Sequence, residues 1–268
     1  MNLALAQMAV ESGAVKANLD RALTRVAAAA ADGADLVALP EVFDVGYFAF
    51  DSYDRVAQGL DGERLAHVAA AADEHDVAVL AGSVVEDLAA SREAGFETPV
   101  PEGLANTSVL FDSSGTRRTV YRKRHLFGYG SAESELLVPG ESTATAEVGD
   151  HVVGVTTCYD LRFPEQYRRL VDAGVTLVLV PSAWPYPRVE HWRLLPRARA
   201  VENLTYVAAV NGVGAFEDAE LLGRSAVYDP WGATLASAGD HPATVTADVG
   251  RERVDAVRDE FPALEDRR

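Results

Sequence analysis

Two short runs, Leu36-Val37-Ala38-Leu39 and Val175 to Val180, constrain the fold most, because neither alternates polar with apolar residues. Strands of that pattern are buried on both faces, which requires a sheet covered from both sides. The first run follows apolar residues at Val15, Leu19, Ala22, Leu23, Val26 and Ala30. That is helical spacing, and Gly33 ends the helix. With the apolar segment Asn2 to Ala9 ahead of it, the order is β-α-β, the signature of layered α/β architecture. The second half repeats the scheme: the β-rich Val152 to Val155, a helix over Glu165 to Asp172, the strand Val175 to Val180, a helix over Arg188 to Asn203, and a strand over Thr205 to Val210. Asp112-Ser113-Ser114-Gly115 and Asp229-Pro230-Trp231-Gly232 read as hairpin turns, the second between runs over Leu222 to Tyr228 and Ala233 to Leu235, so the sheets are mixed. Glu63 to His75 reads as a helix, Val77 to Val85 as a strand, Glu86 to Gly103 as an exposed loop and Arg251 to Val257 as a short helix before a polar tail. Two mixed sheets packed face to face with helices on the outer faces, an α-β-β-α sandwich, would bury the apolar strands of both halves. No linker interrupts the 268 residues, and a single domain is expected over 1–268, with residues 250–268 a C-terminal helix and tail at a possible oligomer interface.

Hydrophobic residues make up 48% of the chain, enough for a sizeable core. A single cysteine cannot form an internal disulfide, so nothing points to an oxidising compartment. Met1 to Val10 lacks the positive region of a signal peptide, and no apolar run is long enough to span a bilayer. These features lead us to expect a soluble cytoplasmic protein. The net charge of −17, from 41 acidic and 24 basic residues, would repel nucleic acid and anionic lipid. Only Lys16 and Lys123 are lysines; the other 22 basic residues are arginine. Such a surface suits high salt, where screening relieves self-repulsion; a genome favouring arginine codons is the other reading.

Three residues of complementary chemistry follow strand ends. Cys158, the only thiol, stands where the run from Val152 turns into a helix start. Such turns hold a nucleophile out of the sheet with the next N–H groups facing its target; a core cysteine is the competing reading. Glu41 follows the Leu36–Leu39 strand, where ligands gather in open α/β sheets, although a solvated loop carboxylate would look the same. Lys123, in Tyr121-Arg122-Lys123-Arg124-His125-Leu126-Phe127, is a lysine in a chain that otherwise uses arginine, as if an ammonium were required. Arg122 and Arg124 read as a solvated strand end and His125 as a structural histidine. The aromatic stretch Phe43 to Phe50 is either a pocket wall or a packing plug.

Together these segments resemble the nitrilase superfamily of carbon–nitrogen hydrolases. The resemblance rests on Leu39-Pro40-Glu41, the Tyr121–Phe127 segment, Cys158-Tyr159-Asp160-Leu161-Arg162-Phe163-Pro164-Glu165, His191-Trp192, Ala198-Arg199-Ala200-Val201-Glu202-Asn203 and Asp229-Pro230-Trp231-Gly232, in family order along nearly the whole chain. It implies the α-β-β-α fold, with Cys158 as nucleophile, Glu41 as general base and Lys123 as cationic partner. It also implies a second glutamate near the site, which Glu133 fits better than Glu135. The chemistry suits these residue types: a thiolate attacks the poor electrophile of an amide, a carboxylate takes the thiol proton and returns it to the leaving ammonia, and an ammonium with the Tyr159 backbone N–H holds the oxyanion. No metal or organic cofactor is called for.

The segment Ala183-Trp184-Pro185-Tyr186-Pro187-Arg188 resembles the ω-amidase branch, which hydrolyses the terminal amide of dicarboxylic monoamides such as 2-oxoglutaramate. Arg188 is the candidate for the substrate carboxylate, and Trp184 and Tyr186 for the pocket wall. A deaminated-glutathione amidase, an N-carbamoyl amine or amino-acid hydrolase and a nitrilase would share the Glu-Lys-Cys set. A Cys–His enzyme using His125 or His191, and a binding protein on a retained fold, are the readings outside that class. The partners expected are a small amide and further copies of the chain, as at least a homodimer.

Overall fold

The protein, seen in a computed structural model that describes residues 1–217 and 219–267, holds two six-stranded sheets. The first half supplies β1 (Asn2–Gln7), β2 (Leu36–Ala38), β3 (Ala78–Asp87), β4 (Leu104–Phe111) and β5 (Arg117–Arg122). The second supplies β6 (Ala144–Val148), β7 (His151–Val155), β8 (Leu177–Ser182) and β9 (Tyr206–Asn211). A separate hairpin, β10 (Val213–Phe216) and β11 (Ala219–Leu222), follows, then β12 (Ala226–Tyr228), β13 (Thr234–Ser237) and β14 (Ala243–Asp248). The helices are α1 (Val15–Ala31), α2 (Tyr53–Val56), α3 (Glu63–Glu74), α4 (Leu88–Glu93), α5 (Glu133–Leu136), α6 (Pro164–Asp172), α7 (Val189–Asn203) and α8 (Arg251–Glu260).

Strand order is β14-β1-β2-β3-β4-β5 in one sheet and β13-β12-β9-β8-β7-β6 in the other. Each has three parallel strands at its centre, β1-β2-β3 and β7-β8-β9, flanked by antiparallel ones. Side chains alternate across each strand, so one face packs on the other sheet and one on helices. Leu3, Leu5, Leu36 and Ala38 meet Val153, Leu177, Leu179 and Ala208 between the sheets. Ala4, Ala6, Val37 and Val79 face Leu19, Val26 and Val68 of α1 and α3. Val178, Val180 and Val207 face Leu170, Trp192 and Ala200 of α6 and α7. The layers are therefore α-β-β-α. Each fully buried aliphatic side chain contributes about 1.5–3 kcal/mol, so the three apolar interfaces between these layers dominate the stabilisation.

Three local expectations change. Glu86 to Gly103 is not all loop: β3 runs on to Asp87, whose carboxylate caps α4 by accepting from the Ala89 and Ala90 N–H groups, and Leu88 and Ser91 are buried. The stretch Leu222 to Tyr228 divides into the end of β11 and β12. Arg122 is not solvated; it grips buried Glu86 with two bonds of 2.7 and 2.8 Å.

Candidate active site

The site forms where strand ends of both sheets converge. Glu41 lies three residues past β2, its backbone N–H reaching Ser182 O at the end of β8. Its carboxylate is buried and fully engaged: Oε1 accepts from Lys123 Nζ at 2.8 Å and Asn106 Nδ2 at 2.9 Å, and Oε2 from the Ala183 N–H at 2.8 Å. The next residue, Val42, holds φ at 44°.

Lys123 directly follows β5, and its backbone N–H donates to Asn106 O at 2.9 Å. The ammonium is buried and also bonds both oxygens of Glu133, at 2.8 and 2.9 Å. Glu133 opens α5; its Oε2 accepts from the Phe127 N–H and from Tyr47 Oη as well. Glu135, the other glutamate of α5, is exposed, so Glu133 is the second carboxylate of the cluster.

Cys158 begins a 3-10 turn two residues beyond Thr156, which itself follows β7, with φ at 48°. Asp160 sets that turn. Its Oδ2 accepts from the Thr157 N–H at 2.8 Å and Tyr121 Oη at 2.5 Å, and its Oδ1 contacts His125 Nδ1 at 2.6 Å. Buried Asp160 thus ties the Cys158 turn to the Tyr121–His125 segment that carries Lys123. His125 stacks on Phe163 and is engaged by Asp160, and His191 contacts Arg162 at 2.9 Å. A structural histidine is what His125 is, and a Cys–His pair has no support in this geometry.

Burial pushes the Cys158 thiol well above its ordinary value, Glu41 adds to the rise, and Lys123 opposes it. Burial also raises the Glu41 carboxyl; Lys123 pulls it down and Glu133 pushes it up. Burial works against the Lys123 charge, but Glu133 and Glu41 outweigh it and hold the ammonium well above its usual range. A neutral thiol beside a carboxylate of raised basicity favours proton transfer during attack over a standing thiolate. Among the described residues no group of three or more His, Cys, Asp or Glu is placed to hold a metal ion.

A cavity of about 310 Å³ reaches Cys158 and Lys123. Tyr159, Trp184, Tyr186 and Arg188, the predicted binding residues, all line it. Tyr159 stands in the first turn after Cys158, where backbone N–H groups lack partners within the turn. Trp184 is held by Asn211, which bonds its backbone N–H at 2.8 Å and its carbonyl at 3.1 Å. Arg188 lies over the Phe127 ring. Sequence reasoning missed Arg162, which lines the same cavity over the Tyr159 and Trp184 rings. It missed Asn106 too, which stands beside Thr107 and Ser108 in β4 and carries no local mark of its role. Tyr47, one of the aromatics in the Phe43–Phe50 stretch, both lines the cavity and bonds Glu133.

The carbon-nitrogen hydrolase family model matches residues 2–259. A 2-oxoglutaramate amidase of Paenarthrobacter nicotinovorans is 36% identical over 241 residues, covering 88% of this chain and 79% of that protein. Omega-amidase NIT2 of Homo sapiens is 32% identical over 99% of this chain and 94% of its own. Among solved structures, Saccharomyces cerevisiae Nit3, described as a member of branch 10 of the nitrilase superfamily, superposes with a TM-score of 0.87 at 29% identity, covering 98% of this chain and 94% of that one. An amidase from Nesterenkonia sp. AN1, solved as a cysteine-to-alanine mutant in complex with butyramide, gives 0.82 at 28% identity, covering 98% of this chain and 96% of that one.

Proposed function

The chain belongs to the carbon-nitrogen hydrolase family and is an enzyme that hydrolyses an amide C–N bond, and we propose that it acts on the terminal amide of short dicarboxylic monoamides of the 2-oxoglutaramate type. In this reading Cys158 attacks the amide carbon as Glu41 takes its proton. Lys123 and the Tyr159 N–H stabilise the oxyanion. Glu41 returns the proton to the departing ammonia, then activates the water that hydrolyses the thioester. Glu133 orients Lys123, whose ammonium it grips with both oxygens.

The observation that supports the substrate class is charge. In a chain of net charge −17, the cavity carries two guanidiniums, Arg162 and Arg188, neither of which has a carboxylate partner among the described residues. A substrate carboxylate would supply one, and Arg188 is the proposed clamp, with Trp184 and Tyr186 as walls. Relatives named 2-oxoglutaramate amidase and omega-amidase agree with that class.

Ammonia release compared across 2-oxoglutaramate, an unsubstituted aliphatic amide, an N-carbamoyl amino acid and a nitrile tests this. The dicarboxylic monoamide should be turned over best. Arg188→Ala should then lower kcat/KM for it by about 10- to 100-fold while leaving the neutral amide nearly unaffected. Equal losses on both substrates would remove Arg188 from the role.

Self-association is part of the same proposal. Leu194 and Val201 lie seven residues apart on α7 and are exposed. Half-exposed Trp231 and Phe261 lie 5.7 Å apart, and Gly232 sits against Val201. This apolar face, which the residue after α8 helps form, suits a homodimer. No described helix is long and apolar enough to cross a membrane. A thiol nucleophile suits the reducing cytoplasm, where we place the enzyme.

A further inference from the structure

Asn106 lies in β4 with almost no exposure, among buried neighbours Ala105, Thr107 and Ser108. Its Nδ2 donates to Glu41 Oε1 at 2.9 Å and to Glu133 Oε1 at 3.1 Å. The same two oxygens each receive Lys123 Nζ at 2.8 Å. Amide and ammonium therefore close a four-membered ring with the two carboxylates. The Asn106 carbonyl also accepts the Lys123 backbone N–H at 2.9 Å, so one residue fixes the lysine and both of its anions. Its Oδ1 has no hydrogen-bond partner despite being buried. That unpaired oxygen is destabilising and is offset only by the two bonds that Nδ2 makes to the buried carboxylates.

We propose that Asn106 is a positioning residue for the amide hydrolysis, holding Glu41 and Glu133 together about Lys123 so that Glu41 faces Cys158 as an ionised proton acceptor. This rests on the functional reading above. The neutrality of the amide is what the site requires. Two carboxylates and one ammonium leave one negative charge in excess, and that charge is the base. A cation at 106 would cancel it. An apolar residue would leave two anions sharing one ammonium, and like charges so close retain a proton between them. The titratable groups facing the ring are Glu41 from the loop after β2, Lys123 after β5, Glu133 of α5, Tyr47 of the aromatic loop, Tyr53 of α2 behind it and Cys158 of the 3-10 turn.

The test is steady-state kinetics against pH for Asn106→Ala and Asn106→Ser, with thermal melts to confirm folding. The expected result for Asn106→Ala is a fall in kcat of about 10- to 100-fold, KM changed by less than about threefold, and an acid limb of the kcat/KM profile displaced to higher pH. Asn106→Ser, which keeps a donor, should lie between Asn106→Ala and the unmodified enzyme in both readouts and serves if the alanine variant does not fold. Folded variants with unchanged kcat and acid limb, or with a change in KM alone, would overturn the proposal. Failure of the underlying reading would show separately, as an unmodified enzyme that turns over amide with no acyl group on Cys158.

Discussion

Cys158 and Val42 both hold left-handed backbone, at φ 48° and 44°, a conformation that costs a non-glycine residue about 1–2 kcal/mol. They stand at the thiol and beside the Glu41 carboxylate, while Asp76, Leu204 and Arg224 hold the same backbone region elsewhere in the fold. Cys158→Ala should abolish turnover with little loss of stability, because truncation removes a single sulfur atom that opens onto the cavity. Glu41→Gln should remove at least ~10²–10⁴ of the rate, measured as ammonia release, since it deletes the proton acceptor while keeping the shape. The raised Glu41 carboxyl sets the pH dependence. The base is lost as pH falls through its elevated value, so the acid limb should lie above the ordinary carboxylate range near ~4.3. Lys123 works in the other direction. Its folded-state value is raised, so its contribution to stability is complete below its unfolded value near ~10.4 and is lost only as pH climbs further. At neutral pH Lys123→Ala should therefore show its full effect, about 3–5 kcal/mol in denaturant unfolding, because two buried carboxylates lose their counter-ion.

At the scale of elements, the sheet and the acid loop are locked together at one glycine. β3 shifts register between Ala81 and Val84, and a Cβ on Gly82 would stand 1.9 Å from Leu39 O and 2.4 Å from Pro40 O. Gly82→Ala should displace the Leu39-Pro40-Glu41 turn, with a loss of about 1–3 kcal/mol in stability and a fall in kcat out of proportion to it. A variant of ordinary stability and activity would show that the turn is not held from β3. Much of this scale was legible beforehand, for a physical reason: buried parallel strands read as unbroken apolar runs, and the helices between them keep a 3.6-residue period. Glu41, Lys123 and Cys158 stood out because each follows such a run or breaks the chain's habits of composition. Asn106 and Arg162 did not, since their roles depend on neighbours distant in sequence: Glu41 and Glu133 for the amide, Tyr159 and Trp184 for the guanidinium. The helix over Leu88–Glu93 was hidden in a polar stretch whose only local signal was the Asp87 cap.

For the whole molecule, the excess of acidic residues predicts salt-dependent stability. If the surface is adapted to high salt, the melting temperature should rise steadily with added potassium chloride over the molar range; an unchanged melt would leave arginine-rich composition as the explanation. We also propose that the chain unfolds as one domain, because α1, α3, α6 and α7 close over two sheets that share a single inner core. Paired Leu194→Glu and Trp231→Glu changes should shift the mass by light scattering towards the monomer. The proposed reaction centre brings together a thiol, a carboxylate and an ammonium from both sheets. The most direct measurement is mass spectrometry of the enzyme quenched during turnover of 2-oxoglutaramate. The account predicts the substrate's acyl group, minus ammonia, on the peptide containing Cys158. Sustained ammonia release with that peptide unmodified at every quench time, or with the acyl group on another residue, would contradict it.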